Sequence, residues 1–183
     1  MVAAVAVSIG HAALTGSASP RAATGPPRAS ATLGVVAKRL LVVHHTPSPA
    51  LHTLLEAVLD GAREAGAEVV ARAALTCTAV DALEAAGYVL GTPANLGMMS
   101  GALKHFFDGA YYPCLDATVG RPWGLYVHGN DDVAGAIGQV EKIVTGLRWQ
   151  QVHDHVRVLG TPDAAARDAA WDLGATVAAR MED

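Results

Sequence analysis

The stretch Leu90–Asp108, LGTPANLGMMSGALKHFFD, decides how the rest of the chain is read. An apolar run, Tyr88-Val89-Leu90, leads into it and stops at Gly91. An uncharged segment follows, with Pro93, Asn95 and Gly97. Ser100 then opens a segment that carries Leu103, Phe106 and Phe107 on one side at helical spacing. The pattern reads as a buried strand, a loop over Thr92, Pro93, Ala94, Asn95, Leu96 and Gly97, and a helix. In an open α/β sheet, the loop at a strand's carboxyl end is where ligands sit. An uncharged loop of small residues suits close approach by a flat, partly apolar ligand.

On the N-terminal side, Arg39–His45 (RLLVVHH) reads as a first strand whose unbroken apolar run suits cover on both faces. Ser48 followed by Pro49 is an N-cap and first-turn proline, and Leu51, Leu54, Leu55, Val58 and Leu59 recur at helical spacing toward a stop at Gly66. Ala67–Ala73 is a second strand, and Thr78 with Asp81 forms a capping box for a short helix. On the C-terminal side, Tyr111-Tyr112-Pro113 reads as an aromatic turn and Pro122–Val127 as a fourth strand. Asn130 or Asp131 can cap the next helix. Val152–Leu159 is a fifth strand, and Thr161-Pro162 repeats the cap-plus-proline start before an Ala-rich helix.

Strands alternating with helices imply an α/β doubly wound five-stranded parallel sheet with helices on both faces. At 183 residues and 51% apolar content the chain can bury one core, which is read over residues 38–183. The low charged fraction, 16%, excludes a disordered protein, and a net charge of −4 with no basic patch argues against nucleic acid as a partner. Cys77 and Cys114 lie far apart with no CxxC, which fits a reducing cytoplasm. Residues 1–37 are rich in Ala, Ser, Gly and Pro and hold no acid. They read as a disordered or targeting-like tail. Their apolar start is too short and interrupted to span a membrane, so no membrane partner is expected.

Thr92-Pro93, Gly97, Met99-Ser100-Gly101, Lys104, Phe106 and Asp108 match the string TPxxxGxMSGxxKxFxD, which resembles the flavin loop of the flavodoxin-like FMN proteins. Within that group it is most similar to the NAD(P)H-dependent FMN and quinone reductase branch, over about Leu40 to Trp149. The resemblance implies the strand order 2-1-3-4-5, with the ligand between strands 1 and 3. It implies FMN as cofactor, NADPH or NADH as electron donor, and a small-molecule acceptor. A homo-oligomer, dimer or tetramer, also fits it.

Three loops would then form the site. The loop Thr46–Leu51 stands where flavodoxins hold phosphate. The hydroxyls of Thr46 and Ser48 and amides at a helix start suit a dianion. Pro47 and Pro49 depart from the family pattern and remove two donors, leaving the amides of Ser48, Ala50 and Leu51. Ser48 serves equally as an ordinary helix cap. The backbone of Thr92–Gly97 would meet the isoalloxazine edge. The third loop, His128-Gly129-Asn130, would approach the flavin, with His128 as a contact or as a polar strand end.

No catalytic acid or base stands out, and none is needed when the cofactor does the chemistry. The expected function is therefore an FMN-binding NAD(P)H-dependent oxidoreductase acting on a quinone, flavin or similar acceptor. The alternatives are a flavodoxin-type one-electron carrier and a degenerate, non-catalytic relative of the fold. The acidic pair of a receiver domain is missing after the first strand, and no GxGxxG follows it. His153 and His155 alternate on an expected strand, but no third ligand is evident, so no metal is expected.

Overall fold

The computed structural model describes residues 38–181. The tail read over residues 1–37 lies outside them. The chain runs β1 (Arg39–His44), α1 (Pro49–Glu64), β2 (Glu68–Ala73), α2 (Ala79–Glu84), β3 (Gly87–Asn95), β4 (Met98–Met99), α3 (Gly101–Cys114), β5 (Pro122–Gly129), α4 (Ala134–Leu147), β6 (Gln150–Gln151), β7 (Val156–Leu159) and α5 (Ala164–Arg180).

The central sheet follows the order β2-β1-β3-β5-β6, with β7 also paired to β5. Every pairing is parallel except the β3–β4 hairpin. Setting that hairpin aside and joining β6 with β7 as one broken edge strand gives the expected 2-1-3-4-5 order. Strands β1, β3 and β5 are buried almost throughout, as strands covered on both faces must be. Leu51, Leu54 and Val58 of α1 pack with Leu173 and Val177 of α5 on one face. Leu103 and Phe106 of α3 pack with Val140 and Val144 of α4 on the other.

Helices α1 and α5 touch through reciprocal glycines. A Cβ at Gly61 would stand 2.1 Å from the Trp171 carbonyl oxygen, and one at Gly174 would stand 2.1 Å from that of Val58. Arg121 fastens the opposite face. Its guanidinium donates to the carbonyls of Ala82, Leu83 and Ala85 and to the Tyr88 hydroxyl, satisfying the end of α2.

Several local expectations are met. Ser48 caps α1 by accepting from the Leu51 amide at 3.3 Å, and Pro49 is its first residue. Thr78 and Asp81 make both bonds of the capping box. Gly66 takes φ +86°, the left-handed conformation of a helix stop.

Other segments differ. β3 does not stop at Gly91 but continues to Asn95, so Thr92, Pro93, Ala94 and Asn95 are strand residues rather than loop residues. The reason lies in the neighbours: Thr92 and Pro93 pair with Val127 and His128 of β5. β1 ends opposite Gly91, so β3 has a partner on one side only at Pro93, where a residue without an N–H is tolerated. Tyr111, Tyr112 and Pro113 form no turn; they lie in the last turn of α3, where a proline forfeits little. Neither Asn130 nor Asp131 caps α4: its N-cap is Val133, which makes no side-chain cap bond, and the Asp132 carboxylate before it accepts from the Ala134 amide at 2.9 Å. Asp163, not Thr161, caps α5. His153 and His155 precede β7 instead of alternating along it.

Candidate functional site

The site region is built by the β1–α1 turn, the extended end of β3 and the end of β5. β1 hands over to Thr46 beside Gly91, where the His45 amide donates to the Gly91 carbonyl at 2.9 Å. Thr46, Pro47, Ser48, Pro49, His52 and Thr53 line a cleft of about 550 Å³ at the start of α1. His44 Nδ1 lies 2.9 Å from Thr46 Oγ1. Thr53 Oγ1 donates to the Pro49 carbonyl at 3.1 Å.

Of the three amides expected to face an anion, that of Leu51 is committed to the Ser48 cap, and Leu51 itself is fully buried. Ser48 and Ala50, both half-buried, keep amides that no backbone or side-chain acceptor among the described residues takes up. A helix N-terminus with free amides attracts an anion, and the hydroxyls of Thr46 and Ser48 stand beside it.

His44 has its pKa lowered, first by burial and then by the neighbouring His45 and His52. Behind the loop lies Tyr126, fully buried, with a hydroxyl that makes no hydrogen bond. Thr46 bears on that hydroxyl and opposes the upward shift that burial imposes on the phenol, without completing a bond to it.

Further along β3, Thr92 is fully buried. Its Oγ1 accepts from the Ser100 amide at 3.0 Å and donates to the Pro93 carbonyl at 2.9 Å. This side chain ties the strand to the start of α3, where Ser100 in turn caps Leu103 at 3.2 Å. Leu96 and Gly97 form the two-residue tip, both with positive φ (53° and 73°), as a hairpin turn of the right twist requires. Leu96 is 94% exposed. The tip rests on α4: a Cβ at Gly135 would stand 2.2 Å from the Gly97 carbonyl oxygen. The Met99 amide donates to Gln139 Oε1 at 3.1 Å.

His128 and Gly129, expected in a loop, are the last residues of β5 because they pair with β7, and a Cβ added to Gly129 would meet Ala94 Cβ at 3.4 Å, so the ends of β3 and β5 are in contact. Asn130 is exposed. His128 Nε2 donates to the Gly160 carbonyl at 2.7 Å, which fixes the ring against the loop after β7. His155 Nε2 lies 3.0 Å from Glu141 Oε1. Among the described residues no group of three or more His, Cys, Asp or Glu side chains could hold a metal ion. No helix among them is long and apolar enough to cross a membrane.

Sequence reasoning passed over His52, Thr53 and Tyr126. The first two follow from helical geometry, since they lie within a turn of Ser48. Tyr126 needs the register that sets it opposite Gly91, which no local pattern reveals.

No protein-family model matches the chain, and no curated protein matches it. The fold is similar to that of a flavodoxin from the domain Archaea, with a TM-score of 0.71 and 14% identity over 79% of this chain and 99% of that one. It is also similar to a flavodoxin, WrbA-like protein from Agrobacterium tumefaciens, with a TM-score of 0.66 and 18% identity over 80% and 98%. The Flv1 flavodiiron core from Synechocystis sp. PCC6803 gives a TM-score of 0.70 and 18% identity, covering 80% of this chain. The chain spans only 36% of that flavodiiron core. The architecture is therefore flavodoxin-like, with its open cleft at the switch point between β1 and β3.

Proposed function

We propose that this chain binds FMN and works as an NAD(P)H-dependent oxidoreductase on a quinone, a flavin or a similar small acceptor. The observation that carries the reading is the cleft at the start of α1, placed beside the β1–β3 switch point with uncommitted amides at Ser48 and Ala50. The residues present fit a phosphate monoester there. Thr46 and Ser48 supply hydroxyls, and the helix dipole supplies positive potential. The Asn95–Gly97 tip, Gly129 and Asn130 would border the ring, with Ala94 packed beneath.

Bound FMN would supply the redox chemistry, taking hydride from NADPH or NADH and passing electrons to the acceptor. The chain's own part is to hold and orient. Thr92 fixes the angle between β3 and α3, and Gln139 and Gly135 hold the hairpin tip. The modest net charge of −4 supports a reductase over a one-electron carrier. A homodimer or tetramer in the cytoplasm is part of the same proposal. One observation favours a cofactor-free relative instead: two prolines and the committed Leu51 amide leave few donors.

The absorbance spectrum and an FMN titration decide between them. The expected result is a yellow protein that releases FMN on denaturation, or one that binds added FMN saturably. A colourless protein that ignores added FMN overturns the proposal. Anaerobic mixing with NADPH or NADH should then bleach the flavin rapidly; a flavin that stays oxidised identifies a carrier.

A further inference from the structure

A groove of about 760 Å³ runs between α3 and α4, and it shares no lining residue with the cleft at the start of α1. Its volume is in the range of small-molecule sites. Met98, Met99, Tyr111 and Ile143 give it an apolar surface. Methionine and tyrosine suit a flat aromatic body, through sulfur–ring contact and ring stacking. Its mouth is set by Leu96, an exposed leucine held in the left-handed region, where a bulky side chain sits only under constraint.

The charged side chains of the groove are two lysines. Lys104 is ion-paired with Asp108. Lys142 has no carboxylate partner among the described residues. Gln139 spends its carbonyl oxygen on the Met99 amide, which leaves its NH₂ as donor. Glu141, beside Lys142 in sequence, is turned to His155. No carboxylate lines the groove, so it carries one uncompensated positive charge. A second copy docked by a two-fold axis would set that charge against itself.

We infer that the α3–α4 groove is a binding site for an aromatic monoacid, its ring over Tyr111 and the methionines and its single anionic head at Lys142 and Gln139. This site adjoins the proposed flavin position through Asn95 and Leu96, which line the groove, while its anionic end at Lys142 lies apart from it.

The test is a fluorescence titration of the full chain with 1-anilinonaphthalene-8-sulfonate, an aromatic monoanion, beside its neutral relative N-phenyl-1-naphthylamine. The sulfonate should bind at one site per chain. Lys142→Ala should weaken it about tenfold, the loss of one charge-assisted contact, and leave the neutral probe unchanged. At Gly101 an added Cβ meets nothing within 4 Å. Gly101→Leu should therefore fill the groove without disturbing the fold, and abolish binding of both probes at a melting temperature no lower than that of the parent chain. Saturating FMN should leave the titration unmoved. No sulfonate binding, or binding indifferent to both substitutions, overturns the inference. So does displacement of the sulfonate by FMN, or a dimer in sedimentation that Gly101→Leu makes monomeric.

Discussion

The phenol oxygen of Tyr126 lies over the bare Cα of Gly91, so close that a Cβ there would stand 2.1 Å from it. Neighbours in register on β3 and β5, the two residues make one unit: the glycine exists to admit the ring. The ring's hydroxyl is then left buried beneath the β1–α1 turn without a partner. An unsatisfied buried hydroxyl costs about 1–3 kcal/mol. Tyr126→Phe should therefore raise stability by about 1 kcal/mol, read as a higher urea midpoint. Gly91→Ala should lower stability through overpacking, by roughly 1–3 kcal/mol.

Ser48 separates two roles. Ser48→Ala removes the α1 cap and should cost about 1 kcal/mol of stability. Ser48→Asp keeps a capping oxygen, and so keeps stability, but sets an anion beside the proposed phosphate. FMN affinity should fall at least tenfold in Ser48→Asp, measured by flavin fluorescence. Unchanged affinity places the phosphate elsewhere.

Gly135 tests the hairpin contact. Glycine to alanine within a helix ordinarily stabilises by about 1 kcal/mol. Here the new Cβ meets a backbone oxygen 2.2 Å away, so the Gly97 turn must move. Gly135→Ala should lower the melting temperature instead of raising it. A rise would show that the turn yields freely.

Burial pushes the Cys77 thiol up to about 12 and the Cys114 thiol upward as well. Both are free thiols inside the core. Only a thiolate attacks a disulfide reagent. Neither cysteine should react with Ellman's reagent near neutral pH in the native protein, and both should react at once in denaturant. Rapid native reaction at Cys77 would contradict its placement.

His44 makes stability depend on pH. Its pKa is lowered below 6.5 in the folded chain, by burial first and then by His45 and His52. Between the folded and unfolded values the unfolded chain binds the extra proton. The contribution is therefore present above pH 6.5 and lost as pH falls through the folded value. Urea midpoints should drop on that side, and His44→Gln should flatten the drop.

Much of the fold is legible in local sequence, because its signals are local. The Ser48-Pro49 start, the Thr78–Asp81 box and the Gly66 stop each act within one turn of chain. The misread segments depend on partners far away. β3 runs past Gly91 because β5 is there to pair with Thr92 and Pro93. Pro113 stays helical because α3 is nearly finished where it occurs. The candidate site divides the same way. The α1 start follows from capping rules, whereas the loss of the Leu51 amide to Ser48 and the burial of the Thr92 hydroxyl appear only once side chains have neighbours.

The glycine-to-glycine crossing of α1 and α5 has a bearing on biosynthesis. Gly61 emerges from the ribosome long before Trp171 and Ala175, the residues that cover it. Until then the apolar stripe of α1 has no lasting cover, and a chaperone that reads exposed leucines would find its target there. A nascent chain halted before α5 would carry the cleft at the start of α1 on a helix covered on its sheet side alone.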